Sequence, residues 1–226
     1  YNYLDRTLFA GDLKGVTSSA KTTGFSDNPQ FTYRYKRYDL IYCGLLTPKR
    51  GAWKVLEAIR ELKPSIPKLK VLLLGKIDPP WLLEEMESFI SRHDLNTTIE
   101  MKAQVPYEQV GKYYRAGRIG LLLWQPVSSL KIKMPIKLFE YMAFGLPVIG
   151  SNFGHIADLI EKESFGITVN PENPEEVAEV IESLMREEKM YTAMRNNGIE
   201  AAQVKYNWQR EFDNLCNHYK KALDER

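Results

Sequence analysis

Cysteine is nearly absent from this sequence: Cys43 and Cys216 are the only two in 226 residues. Two cysteines so far apart give neither a disulfide framework nor paired metal-ligand spacing, so a reducing compartment is expected. Long apolar runs are missing as well. The longest, such as Val71 to Leu74 and Leu121 to Trp124, fall far short of the roughly 18 residues a membrane span needs. Neither sign of charge is in excess. The balance of 31 basic to 29 acidic residues, net +2, argues against a general nucleic-acid binder. His93, His155 and His218 are scattered without an H-x-x-x-H or H-x-x-E spacing, and no metal is expected. No P-loop and no G-x-G-x-x-G fingerprint occurs. Ser128 and Ser129 have no evident base partner, so a hydrolase triad is not expected. No signal-peptide pattern opens the chain and position 1 is Tyr; the expectation is a fragment of a cytoplasmic protein.

Apolar residues make up 44% of the chain and charged residues 27%, enough to fill and solvate one large domain. Residues 1–37 read differently from the rest. Asp12 to Pro29 is rich in Gly, Ser, Thr, Lys and Asp and is expected to be linker or loop. Phe31, Tyr33 and Tyr35 then alternate with Thr32, Arg34 and Lys36. That period of two fits a half-buried strand or an extended linker; interleaved aromatics and cations also suit single-stranded nucleic acid.

From Tyr38 onward, short apolar runs alternate with amphipathic stretches. Strands are expected at Asp39–Cys43, Lys70–Leu74, Thr98–Lys102, Ile119–Trp124, Pro147–Ile149 and Gly166–Val169. Helices are expected at Ala52–Leu62, Pro80–His93, Tyr107–Ala116, Ile136–Phe144 and His155–Glu163. Runs such as Val71-Leu72-Leu73-Leu74 are apolar without alternation, as strands buried on both faces are. The expected fold is therefore α/β: a Rossmann-like, doubly wound, mainly parallel six-stranded sheet. After Val169 the chain reads as helical. Asn173 is an N-cap, Pro174 suits the first helical position and Glu176 can complete a capping box. In the last helix, near Trp208 to Leu223, Trp208, Phe212, Leu215, Tyr219 and Leu223 form one apolar stripe. The implied domains are 1–37 as tail, 38–205 as the sheet domain and 206–226 as a terminal helix.

Ligands of such sheets bind outside the carboxyl ends of the strands. After the first strand, Gly44 permits a tight turn, and Lys49 and Arg50 stand beside a helix start, where free amides favour an anion. Two solvated cations before a helix would read the same way. Gly75 opens a similar turn after the second strand. From Gln109 to Phe139 there is no Asp or Glu, while Lys112, Arg115, Arg118, Lys131, Lys133 and Lys137 all fall in that stretch. Pro135 and Gly145 bracket a helix holding Lys137 and Glu140. A cation-rich loop entering a helix is a diphosphate site in outline. Glu140 could accept hydrogen bonds from two vicinal hydroxyls of a ribose, or it could form an ordinary surface pair with Lys137.

Pro135-Ile136-Lys137-Leu138-Phe139-Glu140-Tyr141-Met142-Ala143-Phe144-Gly145-Leu146-Pro147-Val148-Ile149 resembles the P-x-K-L-x-E-Y-M-A-x-G-x-P-V-I signature of retaining GT-B glycosyltransferases of family four. Tyr42-Cys43-Gly44 through Arg50-Gly51, Leu72-Leu73-Leu74-Gly75, Val105-Pro106-Tyr107-Glu108, Tyr114-Arg115-Ala116 and Tyr206-Asn207-Trp208 resemble further segments of that family in order, and Asn2-Tyr3 resembles the tail of a GT-B N-terminal domain. The resemblance implies the donor-binding C-terminal half of a GT-B enzyme that binds a nucleoside-diphosphate sugar. The catalytic residues would lie in an N-terminal domain. By the same resemblance Glu140 would hold the ribose and Arg50 the diphosphate. Lys137 and the helix start at Ile136 would lie near the phosphates, with Lys49, Lys131 and Lys133 as further cations. Gly75 and Val105 would border the base. The family usually works without a metal. The acceptor would be a glycan or lipid-linked glycan at the inner membrane face, in polysaccharide biosynthesis. Two positions depart from the pattern: Ile132 replaces the first carboxylate of E-x7-E, and Leu45 replaces an Arg. They leave open a degenerate nucleotide- or partner-binding domain; a sugar-nucleotide 2-epimerase is a further alternative. The stripe of the last helix is expected to meet the N-terminal domain. In this chain alone it should fold back on its own domain or be buried in a homodimer.

Overall fold

The computed structural model describes residues 36–224. The alternating segment Phe31 to Tyr35, the Asp12 to Pro29 stretch and Asn2-Tyr3 lie outside them. Six strands form one sheet: β1 (Tyr38–Cys43), β2 (Val71–Leu74), β3 (Ile99–Lys102), β4 (Gly117–Leu122), β5 (Val148–Ser151) and β6 (Gly166–Val169). Their spatial order is β3-β2-β1-β4-β5-β6, and every pairing is parallel. Nine α-helices among the described residues connect and flank them: α1 (Ala52–Leu62), α2 (Trp81–Arg92), α3 (Tyr107–Ala116), α4 (Ser128–Lys131), α5 (Ile136–Ala143), α6 (Gly154–Glu163), α7 (Pro174–Arg186), α8 (Glu188–Val204) and α9 (Trp208–Asp224). The expected doubly wound sheet is thus what forms.

The unbroken apolar runs follow from burial on both faces. Leu40, Tyr42, Val71, Leu73, Ile119 and Leu121 point into one core, with α1 and α7 packed over them. Ile41, Cys43, Leu72, Leu74 and Leu122 point into the other, beneath α3, α5 and α6. Alternate residues of β1 thus feed opposite cores, and a polar side chain buried in the sheet needs a hydrogen-bond partner, as Ser151 has.

Element edges differ from expectation by a residue or two, for local reasons. β4 begins at Gly117, which pairs with Tyr38, and stops at Leu122 rather than Trp124. Beyond that point the ladder gives way to a side chain: the Ser151 hydroxyl donates to the carbonyl of Trp124 at 2.7 Å, with that of Leu122 at 3.2 Å sharing the same proton. β5 starts after Pro147, which has no N–H to give, and runs on to Ser151 because Gly150 and Ser151 pair with Thr168 and Val169. At the start of α7, Asn173 Oδ1 accepts from the Glu176 amide at 3.2 Å, as a cap should. Glu176, however, accepts from the amide of Asn170 (3.0 Å) rather than reaching back to Asn173. The cap thereby also ties down the β6–α7 turn.

The terminal helix decides against one of the alternatives expected for it. Trp208, Phe212, Leu215, Tyr219 and Leu223 of α9 are each 47–68% exposed, so the stripe does not fold back on its own domain. No helix among the described residues is long and apolar enough to cross a membrane. Substitution at an exposed position usually changes stability by about 0.5 kcal/mol or less, whereas losing a packed Phe costs about 3–5 kcal/mol. Phe212→Glu in this chain should therefore leave the urea midpoint nearly unmoved. A large drop would show that the stripe is packed after all.

Candidate functional site

The strand order reverses between β1 and β4, so the loops leaving their carboxyl ends diverge and open a crevice. A cleft of about 310 Å³ lies beside it, lined by Gly44, Gly75, Gln104, Val105, Tyr107 and Lys137 among others. Two glycines shape its floor. Gly44 has φ +140° and Gly75 has φ +151°, backbone that residues with a Cβ rarely adopt. Contact forbids a side chain as well. A Cβ on Gly75 would overlap the Gly44 carbonyl, and one on Gly44 would overlap the Lys137 stem. The two loops are held together from below, the Gly44 amide donating to Leu74 (2.8 Å) and the Gly75 amide to Lys102 (2.9 Å).

Helix α5 supplies the charged groups. Its start at Pro135 carries no side-chain cap; the Leu138 amide donates to the Pro135 carbonyl at 3.1 Å, which leaves the amides of Ile136 and Lys137 for an anion. Lys137 lies one residue inside, its stem over Gly44 and its side chain 29% exposed. One turn on, Glu140 is 3% exposed. Its Oε2 accepts from the Tyr114 hydroxyl at 2.6 Å and lies 3.8 Å from Lys137 Nζ. The pair is therefore no surface ion pair: one member borders the cleft and the other is sealed beneath it. Around them the core is polar in a directed way. The Tyr141 hydroxyl accepts from the Cys43 amide at 3.1 Å, and its ring meets that of Tyr114 edge-on at 5.4 Å. Burial pushes the Cys43 thiol up, away from the reactive thiolate, although nearby Lys137 pulls the other way.

The other residues singled out in the sequence stand along the same carboxyl edge but do not line this cleft. The Arg50 guanidinium rests over the Trp124 ring, 5.4 Å from its centroid. The carbonyl of exposed Lys49 accepts from the Gln125 amide at 2.8 Å. Lys131, Lys133 and Ile136 are exposed, and Ile132 between the two lysines is 76% exposed. His155 sits at the start of α6, 3.4 Å from Asp158 on the surface. Among the described residues, no group of three or more His, Cys, Asp or Glu is arranged to hold a metal ion. Sequence reasoning gave Tyr114, Gln104 and Tyr107 no role at the site. For Tyr114 a signal existed, since Val110 and Tyr114 share one face of α3 at i and i+4, which turns a polar tip into the core.

A Rossmann-like half with a glycine-floored cleft and an uncapped helix start is shared by many nucleotide-binding proteins, so comparison with known sequences decides the family. The model of the family "Glycosyl transferases group 1" matches residues 26–201. The chain belongs to that family. Within it, the chain is similar to the putative colanic acid biosynthesis glycosyltransferase WcaL of Salmonella typhimurium, 28% identical over 176 residues, 74% of this chain and 42% of that protein. It is also similar to spore coat protein SA of Bacillus subtilis, 25% identical over 80% of this chain and 48% of that one. The chain thus spans somewhat under half the length of these curated relatives. Among solved structures, the C-terminal domain of the group 1 family protein LpcC from Francisella tularensis superposes with a TM-score of 0.67 at 19% identity, covering 81% of this chain and 95% of that one. HepE of Anabaena, solved in complex with UDP, gives 0.72 at 15% identity, with coverage of 98% and 56%. At these identities the structural likeness shows the fold alone.

The glycine floor makes a direct prediction. Gly75→Ala must bring both a strained φ and an overlap with backbone, so a loss of about 1–3 kcal/mol or more is expected in urea unfolding. An Ala variant as stable as the parent would mean the two loops are not pressed together as described.

Proposed function

We propose that this domain binds the nucleoside diphosphate of a sugar-nucleotide donor. The whole protein would then be a glycosyltransferase that builds a polysaccharide or a lipid-linked glycan at the inner face of a membrane. The observation that carries this reading is Glu140: a carboxylate almost wholly buried, fixed through Oε2, with no hydrogen bond to Oε1 from the described residues. A ribose diol above it offers the two donors such an oxygen lacks. The phosphates would then fall toward Lys137 and the uncapped first turn of α5, where positive charge offsets that of the leaving group without a metal. Support also comes from relatives named for colanic acid and amylovoran biosynthesis, and from HepE, solved with UDP and with UDP-glucose.

Arg50 is a second phosphate ligand in this reading. To serve, its guanidinium must give up the Trp124 face, worth about 0.5–1 kcal/mol at an open site. A hydrogen bond to a charged group is worth about 1.5–3 kcal/mol, so Glu140→Gln should weaken nucleoside diphosphate binding roughly tenfold to a hundredfold. Arg50→Ala should fall at the lower end of that range. Calorimetric titration with several nucleoside diphosphates checks both. Equal affinity of the parent and Glu140→Gln for every nucleotide removes the assignment.

A second reading rests on Ile132, an exposed apolar residue flanked by Lys131 and Lys133 where the family pattern has a carboxylate. It makes the domain a nucleotide binder without transfer. Sugar transfer in GT-B enzymes takes place between two domains, so this chain alone should transfer no sugar under either reading. The two readings separate on the longer protein, which transfers sugar only under the first. Transfer by the isolated chain would contradict the two-domain account.

A further inference from the structure

Glu140 is almost wholly buried beside the cleft, so a ribose can use it only if one carboxylate oxygen is kept free of the protein's own donors. We propose that Tyr114 is a positioning residue for the ribose site: its hydroxyl fixes Oε2 of Glu140 so that Oε1 is presented to the ligand. This rests on the reading that Glu140 receives the ribose.

The two side chains come from different helices, α3 and α5, 26 residues apart, and meet at 2.6 Å. Both are almost fully buried, Tyr114 at 1% and Glu140 at 3% exposure. A carboxylate can accept about four hydrogen bonds, and buried polar atoms in native proteins rarely go unserved. Here Tyr114 serves Oε2, Lys137 Nζ stands 3.8 Å from that same oxygen, and no described residue donates to Oε1. The Tyr114 hydroxyl has two polar neighbours, the Glu140 carboxylate and the Cys43 thiol, and the carboxylate is much the stronger acceptor. The Tyr114 ring lies edge-on to Tyr141 at 5.4 Å and tilted against Phe144 at 5.2 Å. Tyr141 is itself tied to the Cys43 amide. Burial, with Cys43, Glu140 and Tyr141 close by, pushes the Tyr114 phenol far above its usual range, which favours its protonated, donating form. A donor hemmed in by Tyr141 and Phe144 favours the carboxylate orientation that meets it.

A tyrosine that merely fills the core and satisfies a buried charge would also be missed on removal. What separates the two roles is the ribose. The experiment measures binding of uridine diphosphate and of 2′,3′-dideoxyuridine diphosphate, with the guanosine pair beside them, to the parent chain, Tyr114→Phe, Glu140→Gln and the double variant. The parent should prefer the ribonucleotide by about tenfold to a hundredfold, the worth of hydrogen bonds to a carboxylate. Glu140→Gln should bring that ratio close to one. Tyr114→Phe should cut it at least threefold while affinity for the dideoxy nucleotide stays within twofold of the parent. The double variant should match Glu140→Gln. It also has no buried carboxylate left without a donor, so it remains informative if Tyr114→Phe alone does not fold. Tyr114→Phe with the parent ratio, or with equal losses on both nucleotides, makes Tyr114 structural only and overturns the inference. A ribose preference in the double variant clearly above that of Glu140→Gln overturns it too, because Tyr114 would then act on the ribose by a route other than Glu140. If Glu140→Gln keeps the parent ratio, the ribose reading itself is wrong, and that result is distinct from a failure of Tyr114.

Discussion

Glu140 carries a carboxylate into the body of an α/β domain, and that burial constrains the surroundings. An ionised group out of water is costly unless charge and hydrogen bonds meet it. Here the response is local and comes from three directions. Lys137 approaches from one turn earlier on α5, Tyr114 donates from α3, and the cleft lies above. Each of these needs something further. Lys137 can lie over β1 only because Gly44 has no side chain. Tyr114 can hold its angle only because Tyr141 and Phe144 wall it in. Tyr141 is in turn anchored on the amide of Cys43, the last residue of β1. Strand, glycine turn and two helices are therefore tied through one oxygen pair.

The sheet topology places this arrangement at a useful point. With β1 central and its two neighbours connected in opposite directions, the loops after β1 and β4 part, and the start of α5 is exposed beside them. The glycines after β1 and β2 let the two turns pack closely, so that backbone forms the floor of the cleft. Gln104, Val105, Tyr107 and Lys137 line the cleft, and Glu140 is buried one turn along α5 from Lys137.

Much of this was legible in the sequence. The runs Val71–Leu74 and Leu121–Leu123 lacked alternation, and only a sheet covered on both faces explains that. Gly44, Gly75, Lys137 and Glu140 stood out because each occurs where a strand ends or a helix begins. Strand ends were less legible, because the hydroxyl of Ser151 replaces the ladder beyond Leu122, and no local pattern announces such a substitution. Tyr114 was visible as a residue but not as a partner, since a contact spanning 26 positions has no periodic signature. The resting place of Arg50 on Trp124 was hidden for the same reason. The stripe of α9 was read correctly as apolar. Its destination was left as alternatives, of which folding back on this domain is excluded, because amphipathicity says that a face should be covered without saying by what.

The account comes down to where a ribose sits. A crystal structure of this chain with its tightest-binding nucleoside diphosphate tests that most directly. The prediction is that the 2′ and 3′ hydroxyls lie within about 2.5–3.0 Å of Glu140 Oε1, as O–H to carboxylate bonds should, with Tyr114 still on Oε2 and the phosphates at the start of α5. A nucleotide bound elsewhere, or one in this cleft with its ribose turned away from Glu140, would contradict it.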